Sequence, residues 1–182
     1  SPFNPLSDYS KMKIHEENHA KFCSENHNLN ITILRYSNCY GDTTYIKNKF
    51  YPGKKGIIRI FVEEAMKDEP LPIIRNQSRD FTFIDDIVSA TSAVIGLRGF
   101  NVFNVGTGVE TKIEAVANLV EQALGKPLTF MTAPPRKIDN LSRRSLNIDK
   151  ISSLWAPKYD LKTGIKLYIE RLKEKMKCES VS

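Results

Sequence analysis

ITILRYSNCYG (residues 31–41) joins a six-residue run rich in β-branched and aromatic side chains to a polar loop that opens on glycine. The run ITILRY (31–36) has the composition of a buried strand. On its N-terminal side, residues 8–27 read as a helix with a polar exposed side. On its C-terminal side, a loop with Gly41, Asp42, Pro52 and Gly53 leads to a helix at 57–67 and a short strand at LPII (71–74). DFTFI (80–84) reads as a further strand segment, and Asp85 with Asp86 as the start of a helix running to Ile95. VFNV (102–105) is a strand closed by the turn Gly106, Thr107, Gly108. Thr111 and Glu114 are expected to form a capping box for a helix to Leu124, which Gly125 ends. LTF (128–130) is a strand, 133–147 a loop rich in proline and arginine, 149–154 a short helix, and a terminal helix follows. Helices and strands that alternate over short connections argue for an α/β architecture.

The chain has 182 residues, enough for one domain with a real core. Its net charge of +6 is modest and densest between Lys162 and Lys177, where basic residues alternate with Ile165, Leu167, Ile169 and Leu172. That pattern is the solvated face of an amphipathic helix, and no basic stripe with aromatics or nucleic-acid motif accompanies it. No nucleic-acid partner is expected, whereas small anionic ligands such as nucleotide phosphates suit the charge. No apolar run approaches the ~20 residues of a membrane span, and no signal peptide is visible. Cys23, Cys39 and Cys178 form no metal spacing and leave one unpaired in any disulfide scheme, which fits a reducing, cytoplasmic setting.

Tyr9 and Lys13 lie four residues apart in SDYSKMKIHEE (7–17), one turn apart on one helix face. An ordinary phenol ionises near pH ~10, so a tyrosine base at neutral pH needs roughly 4 kcal/mol of preferential stabilisation of its phenolate. A neighbouring ammonium, with a positively charged cofactor ring, supplies such stabilisation. Alone, the spacing is equally that of an ordinary amphipathic helix. The same helix carries HEENH (15–19), a match to the zinc-peptidase pattern HExxH. A third ligand fails to follow, because Phe22 and Glu25 stand where a glycine and a histidine belong. These are read as surface histidines, with no metal.

Five blocks, taken in order, resemble the C-terminal part of the extended short-chain dehydrogenase/reductases, the NAD-dependent nucleotide-sugar epimerases and dehydratases. Pro5, Ser7, Tyr9, Lys13 and Glu17 match PxSxYxxxKxxxE, and ILRYSNCYG (33–41) is similar to LRxxNxYG. RDFTFIDD (79–86) is similar to RDFxxVDD, and FNVGTG (103–108) to FNVGxG. Pro135, Arg136 and Asp139, with Asn147, Asp149 and Lys150, resemble the closing substrate loop and the helix after it. Three departures stand out. The glycine fingerprint GxxGxxG is absent, IRNQS (74–78) is short and lacks GDG, and Met12 replaces a small residue before the lysine.

The resemblance implies the C-terminal portion of a Rossmann-type NAD-binding domain interleaved with a small α/β substrate-binding lobe. Residues 1–56 would belong to the former and 57–182 mainly to the latter, with 80–107 returning to the Rossmann-like sheet. It implies NAD as cofactor and a nucleoside-diphosphate sugar as substrate, epimerised through a transient ketone. A 4,6-dehydratase or decarboxylase of the same family is the alternative, and a non-catalytic substrate-binding fragment is the alternative of another class. Tyr9 would be the acid/base, and Lys13 would lower its pKa and bond the nicotinamide ribose. Tyr36 would lie by the nicotinamide, and Asn38, Arg79, Arg136 and Asp139 would hold the sugar nucleotide. The resemblance further implies a longer protein, without whose upstream glycine segment this chain is inactive, and a homodimer formed through the face of the Tyr9 helix.

Overall fold

The computed structural model describes residues 8–41, 45–46, 49–50, 56–134 and 145–179. Helix α1 (Asp8–His27) has no apolar stripe, and Ser24 is its one buried residue. Ion pairs at helical spacing, Lys11–Asp8 and Lys21–Glu25, line its outer side. Its half-buried side is Ser10, Ile14, Glu17, Ala20 and Cys23. Asn28 follows in the left-handed region at φ 53°, and the Ser24 hydroxyl donates to the Leu29 carbonyl at 2.6 Å. The chain then enters β1 (Ile31–Tyr36), which is half-buried rather than fully buried as its composition suggests.

Beyond Ser37 the same extended segment continues as β2 (Asn38–Tyr40). A two-residue pair, β3 (Tyr45–Ile46) and β4 (Lys49–Phe50), precedes α2 (Ile57–Met66) and β5 (Leu71–Ile73). Next come β6 (Ser78–Arg79), β7 (Phe81–Phe83), α3 (Ile84–Ala93) and β8 (Phe100–Val105). The chain ends through β9 (Thr111–Lys112), α4 (Ile113–Leu124), β10 (Phe130–Thr132) and α5 (Leu161–Glu179). β1 runs parallel to β8 from Ile31 opposite Phe100 to Tyr36 opposite Val105. β2 instead runs parallel to β7, with Asn38 opposite Phe81. The changeover is sharp: the Ser37 amide donates to the Val105 carbonyl at 2.9 Å, and the Asn38 amide to that of Asp80 at 3.0 Å. A fork therefore opens at the C-terminal end of β1, where one strand leaves its first partner for a second. β5 and β10 form a separate parallel ribbon, and β6 and β9 an antiparallel one.

Two apolar cores flank this fork. Ile58, Phe61, Val62 and Ala65 on α2, and Ile113, Val116, Ala117 and Val120 on α4, repeat at i, i+3, i+4, i+7. With Leu71, Phe83, Ile165, Tyr168 and Ile169 they make the larger core. Removing a side chain such as Phe61 from water contributes about 2–3 kcal/mol. The smaller core joins Ile87, Ala90 and Val94 to Phe103, Val105, Ile151 and Trp155.

Three expectations are corrected. Thr111 and Glu114 form no capping box: Thr111 pairs with Arg79 in β9, and α4 has no side-chain cap. The Gln77 carbonyl takes the Ile113 amide at 3.0 Å, so a strand neighbour satisfies a donor that a cap would otherwise serve. Residues 149–154 form turns rather than a helix, and the strand expected at 128–130 lies at Phe130–Thr132. Gly125 ends α4 as expected, in the left-handed region at φ 68°.

Candidate functional site

The fork after β1 opens into a cavity of about 510 Å³ lined by Ser37, Asn38, Tyr40, Pro72, Gln77 and Arg79 among others. Its position outside the carboxyl end of a parallel strand is where open α/β sheets bind ligands. Pro72, Ile74, Ala133 and Pro134 give it an apolar wall from the β5–β10 ribbon. Arg79 gives it a cation. Arg79 is 7% exposed, and its guanidinium donates to the Ser78 carbonyl at 2.7 Å and the Gln77 side-chain carbonyl at 2.5 Å. A planar guanidinium fork is suited to gripping phosphate oxygens. The Asn38 amide nitrogen donates to the Asp80 carbonyl at 3.1 Å.

Neither acidic neighbour of Arg79 in sequence is given over to it by the bonds described. The Asp80 carboxylate accepts the Thr107 amide (3.0 Å) and hydroxyl (2.7 Å), the Gly108 amide (3.0 Å) and the Leu146 amide (3.3 Å). Gly106 is required here, because a Cβ on it would stand 2.6 Å from Asp80 Oδ2. Asp85 instead pairs through both oxygens with Arg171 of α5, at 2.9 and 2.6 Å, which holds its carboxyl below the ordinary range.

Tyr9, Tyr36 and Tyr40 have different settings. Burial, with the Asp86 and Asp160 carboxylates nearby, pushes the Tyr40 phenol up, so it stays neutral. Tyr36 is turned onto α3, where its hydroxyl meets Thr91 Oγ1 at 3.0 Å. Thr91 itself donates to the Ile87 carbonyl, so the Tyr36 phenol is the donor of that bond. Tyr9, in the first turn of α1, is 66% exposed. The Lys13 ammonium lies 5.7 Å from the Tyr9 ring centroid, within reach of a cation–π contact. The same ammonium is 2.6 Å from Glu16 Oε2, and this hydrogen bond raises the Lys13 pKa above its ordinary value.

Asn38 and Arg79 thus line one cavity, whereas Tyr9, Lys13 and Tyr36 are not among its lining residues. Arg136 and Asp139 lie outside the described residues. Gln77, a buried polar wall of the cavity bonded to Arg79, had no sequence signal beyond its place two residues before that arginine. His15 and His19 are exposed, and His19 Nε2 lies 3.6 Å from Cys23 Sγ. Among the described residues no three potential ligands gather for a metal, and no helix is long and apolar enough to cross a membrane.

Comparison with known proteins bears on the family and the fold. A family model described as "NAD dependent epimerase/dehydratase family" matches residues 1–106. The chain is 33% identical over 176 residues to a putative UDP-glucose 4-epimerase of Methanocaldococcus jannaschii, covering 94% of this chain and 55% of that protein. It is 29% identical to the UDP-glucose 4-epimerase of Mycolicibacterium smegmatis, over 96% of this chain and 55% of that one. The crystal structure of Thermotoga maritima UDP-glucose 4-epimerase with UDP-glucose superposes with a TM-score of 0.84 at 29% identity, over 95% of this chain and 55% of that one. The UDP-glucose 4-epimerase of Thermus thermophilus in complex with NAD gives 0.81 at 27% identity, over 94% of this chain and 56% of that one. The chain thus spans about half the length of the curated relatives it matches. With a matched segment of more than half its residues, parallel strands that fork at a cavity, and a Rossmann-type fold shared with these neighbours, the chain belongs to the NAD dependent epimerase/dehydratase family.

Proposed function

We propose that this chain contributes the acid/base helix and the sugar-nucleotide cavity of an NAD-dependent epimerase acting on a nucleoside-diphosphate sugar. The observation that carries the reading is the cavity at the β1–β2 fork. It holds a buried arginine, the side-chain amides of Asn38 and Gln77 and an apolar wall, which are the parts a nucleoside diphosphate needs. Arg79 pairs with the diphosphate oxygens and Asn38 donates to them. The apolar residues of β5 and the 133–134 segment face the base. Arg136 and Asp139 join the same binding set.

The cofactor, when bound, supplies the acceptor and donor of hydride. Tyr9 and Lys13 suit its nicotinamide end, since both are exposed on one face of α1 with the cation beside the phenol. Tyr36 stands at the end of β1 nearest the fork and belongs to the same end of the site. No GxxGxxG turn is present in the 182 residues to hold an adenosine diphosphate. In this reading residues 1–56 and 80–107 complete a dinucleotide-binding sheet, and the remainder forms the sugar-nucleotide lobe.

Chemically, the Tyr9 oxygen takes the proton from a sugar hydroxyl as the carbon beneath it is oxidised to a ketone. It returns that proton when the opposite face is reduced. Lys13 stabilises the phenolate that begins each cycle. In the full-length protein supplied with NAD and UDP-glucose, Tyr9→Phe is expected to keep binding both ligands while turnover falls by about 10³-fold or more, since it removes the acid/base outright. Turnover within a few-fold of normal in that variant would end the assignment.

A further inference from the structure

α1 carries the proposed acid/base pair, but it has no apolar stripe with which to fix its rotation on the sheet. Its half-buried side offers Ile14 and Ala20 as the aliphatic contacts, and its one buried residue is Ser24 at the far end. Between them stands a two-point ionic clamp. Arg35 Nε donates to Glu17 Oε1 at 2.7 Å, and Arg35 Nη2 donates to Glu17 Oε2. Glu17 is 17% exposed and Arg35 38% exposed. A fork-to-fork pair fixes orientation as well as distance, which a lysine at the same place would not do. Arg35 sits on β1 directly before Tyr36, Ser37 and Asn38, the residues that lead into the cavity.

We propose that Glu17 and Arg35 are positioning residues, which set the rotation of α1 and so hold Tyr9 and Lys13 at the correct distance from a sugar seated in the β1–β2 cavity. The inference rests on the proposed role of Tyr9. With about 100° and 1.5 Å per helical residue, Lys13 lies about 40° around and 6 Å along the helix from Glu17, and Tyr9 about 80° and 12 Å. A rotation of about 20° moves a side-chain tip about 6 Å from the axis through about 2 Å. A misplacement of about 1 Å at a reacting group costs about 10²-fold in rate. Among the described residues, the apolar side chains on the half-buried side of α1 are those of Ile14, Ala20 and Cys23. Arg35 thereby ties the helix that moves the proton to the strand whose end holds the phosphates.

The test uses full-length protein with NAD bound, comparing Glu17→Gln, Arg35→Met and the exchanged pair Glu17→Arg/Arg35→Glu. UDP-glucose turnover is measured in each, and the folded fraction is followed by thermal melting. Each single variant is expected to lower kcat by about 10–100-fold while KM for UDP-glucose stays within about threefold. The exchanged pair is expected to recover at least part of kcat. A kcat within about threefold of normal in both single variants overturns the inference, as does a kcat loss no larger than the loss of folded protein, or an exchanged pair that recovers nothing. If Tyr9→Phe itself remains active, the acid/base assignment fails instead, and the two failures are told apart within one set of measurements.

Discussion

Arg79 donates to the Ser78 and Gln77 carbonyl oxygens and lines the cavity wall, and the proposed function makes it the anchor for a diphosphate. Arg79→Lys keeps the charge and loses the planar fork. Hydrogen bonds to charged groups contribute about 1.5–3 kcal/mol each, so UDP affinity by calorimetry is expected to fall about 10–100-fold. An unchanged affinity would place the diphosphate elsewhere. Tyr9, Lys13, Asn38 and Arg79 stand out in the sequence as candidates because each sits in a short contiguous pattern. Gln77 and the Glu17–Arg35 clamp were not. The clamp joins residues 18 apart whose meeting depends on how a helix settles on a strand, and no local spacing encodes that.

Among the elements, α2 and α4 followed directly from their apolar periodicity, since each buries a stripe against the other side of one core. The misread cap at Thr111 has an equally physical source. Ser/Thr three residues before Glu is a helix start only when no strand competes for the same backbone, and here Arg79 and Gln77 do. α5 offers a test of packing at this scale. Gly164 lies inside it, where glycine costs about 1 kcal/mol relative to alanine in an exposed helix. A Cβ at Gly164, however, would collide with the buried Tyr40 hydroxyl and stand 3.3 Å from Phe83. Gly164→Ala is therefore expected to destabilise the protein by about 1–3 kcal/mol in urea unfolding, overpacking outweighing the gain in helix propensity. A stabilised variant would show that α5 can shift away from β2.

The whole molecule is held together where α3 meets both cores. Ile84 packs against each of them, and Asp86 accepts the Lys158 and Tyr159 amides at 3.0 and 3.1 Å. Asp85 pairs with Arg171, and Asp160 accepts the Thr163 amide at 2.7 Å at the start of α5. Arg171 and Thr163 respectively hold these two carboxyls below the ordinary range. Both therefore bind protons less tightly folded than unfolded. Their contribution is complete above the ordinary carboxylate value of about 4 and disappears as the pH falls through the lower folded values. The stability gap between the unaltered protein and an Asp85→Asn/Asp160→Asn variant is thus expected to close between about pH 6 and about pH 2. A gap of constant size in urea unfolding across that range would show that these pairs carry none of the acid sensitivity. The α/β alternation was readable from the sequence, whereas the partner change at Ser37 was not, because Ser37 and Asn38 read as the start of a polar loop rather than as a strand that goes on to a second partner. One carboxylate, that of Asp80, meanwhile secures the 107–108 turn and the chain at Leu146, and its carbonyl secures Asn38. Loss of the Asp80 carboxylate would therefore release the 107–108 turn and the chain at Leu146 together, beside the strand pair that Asn38 closes.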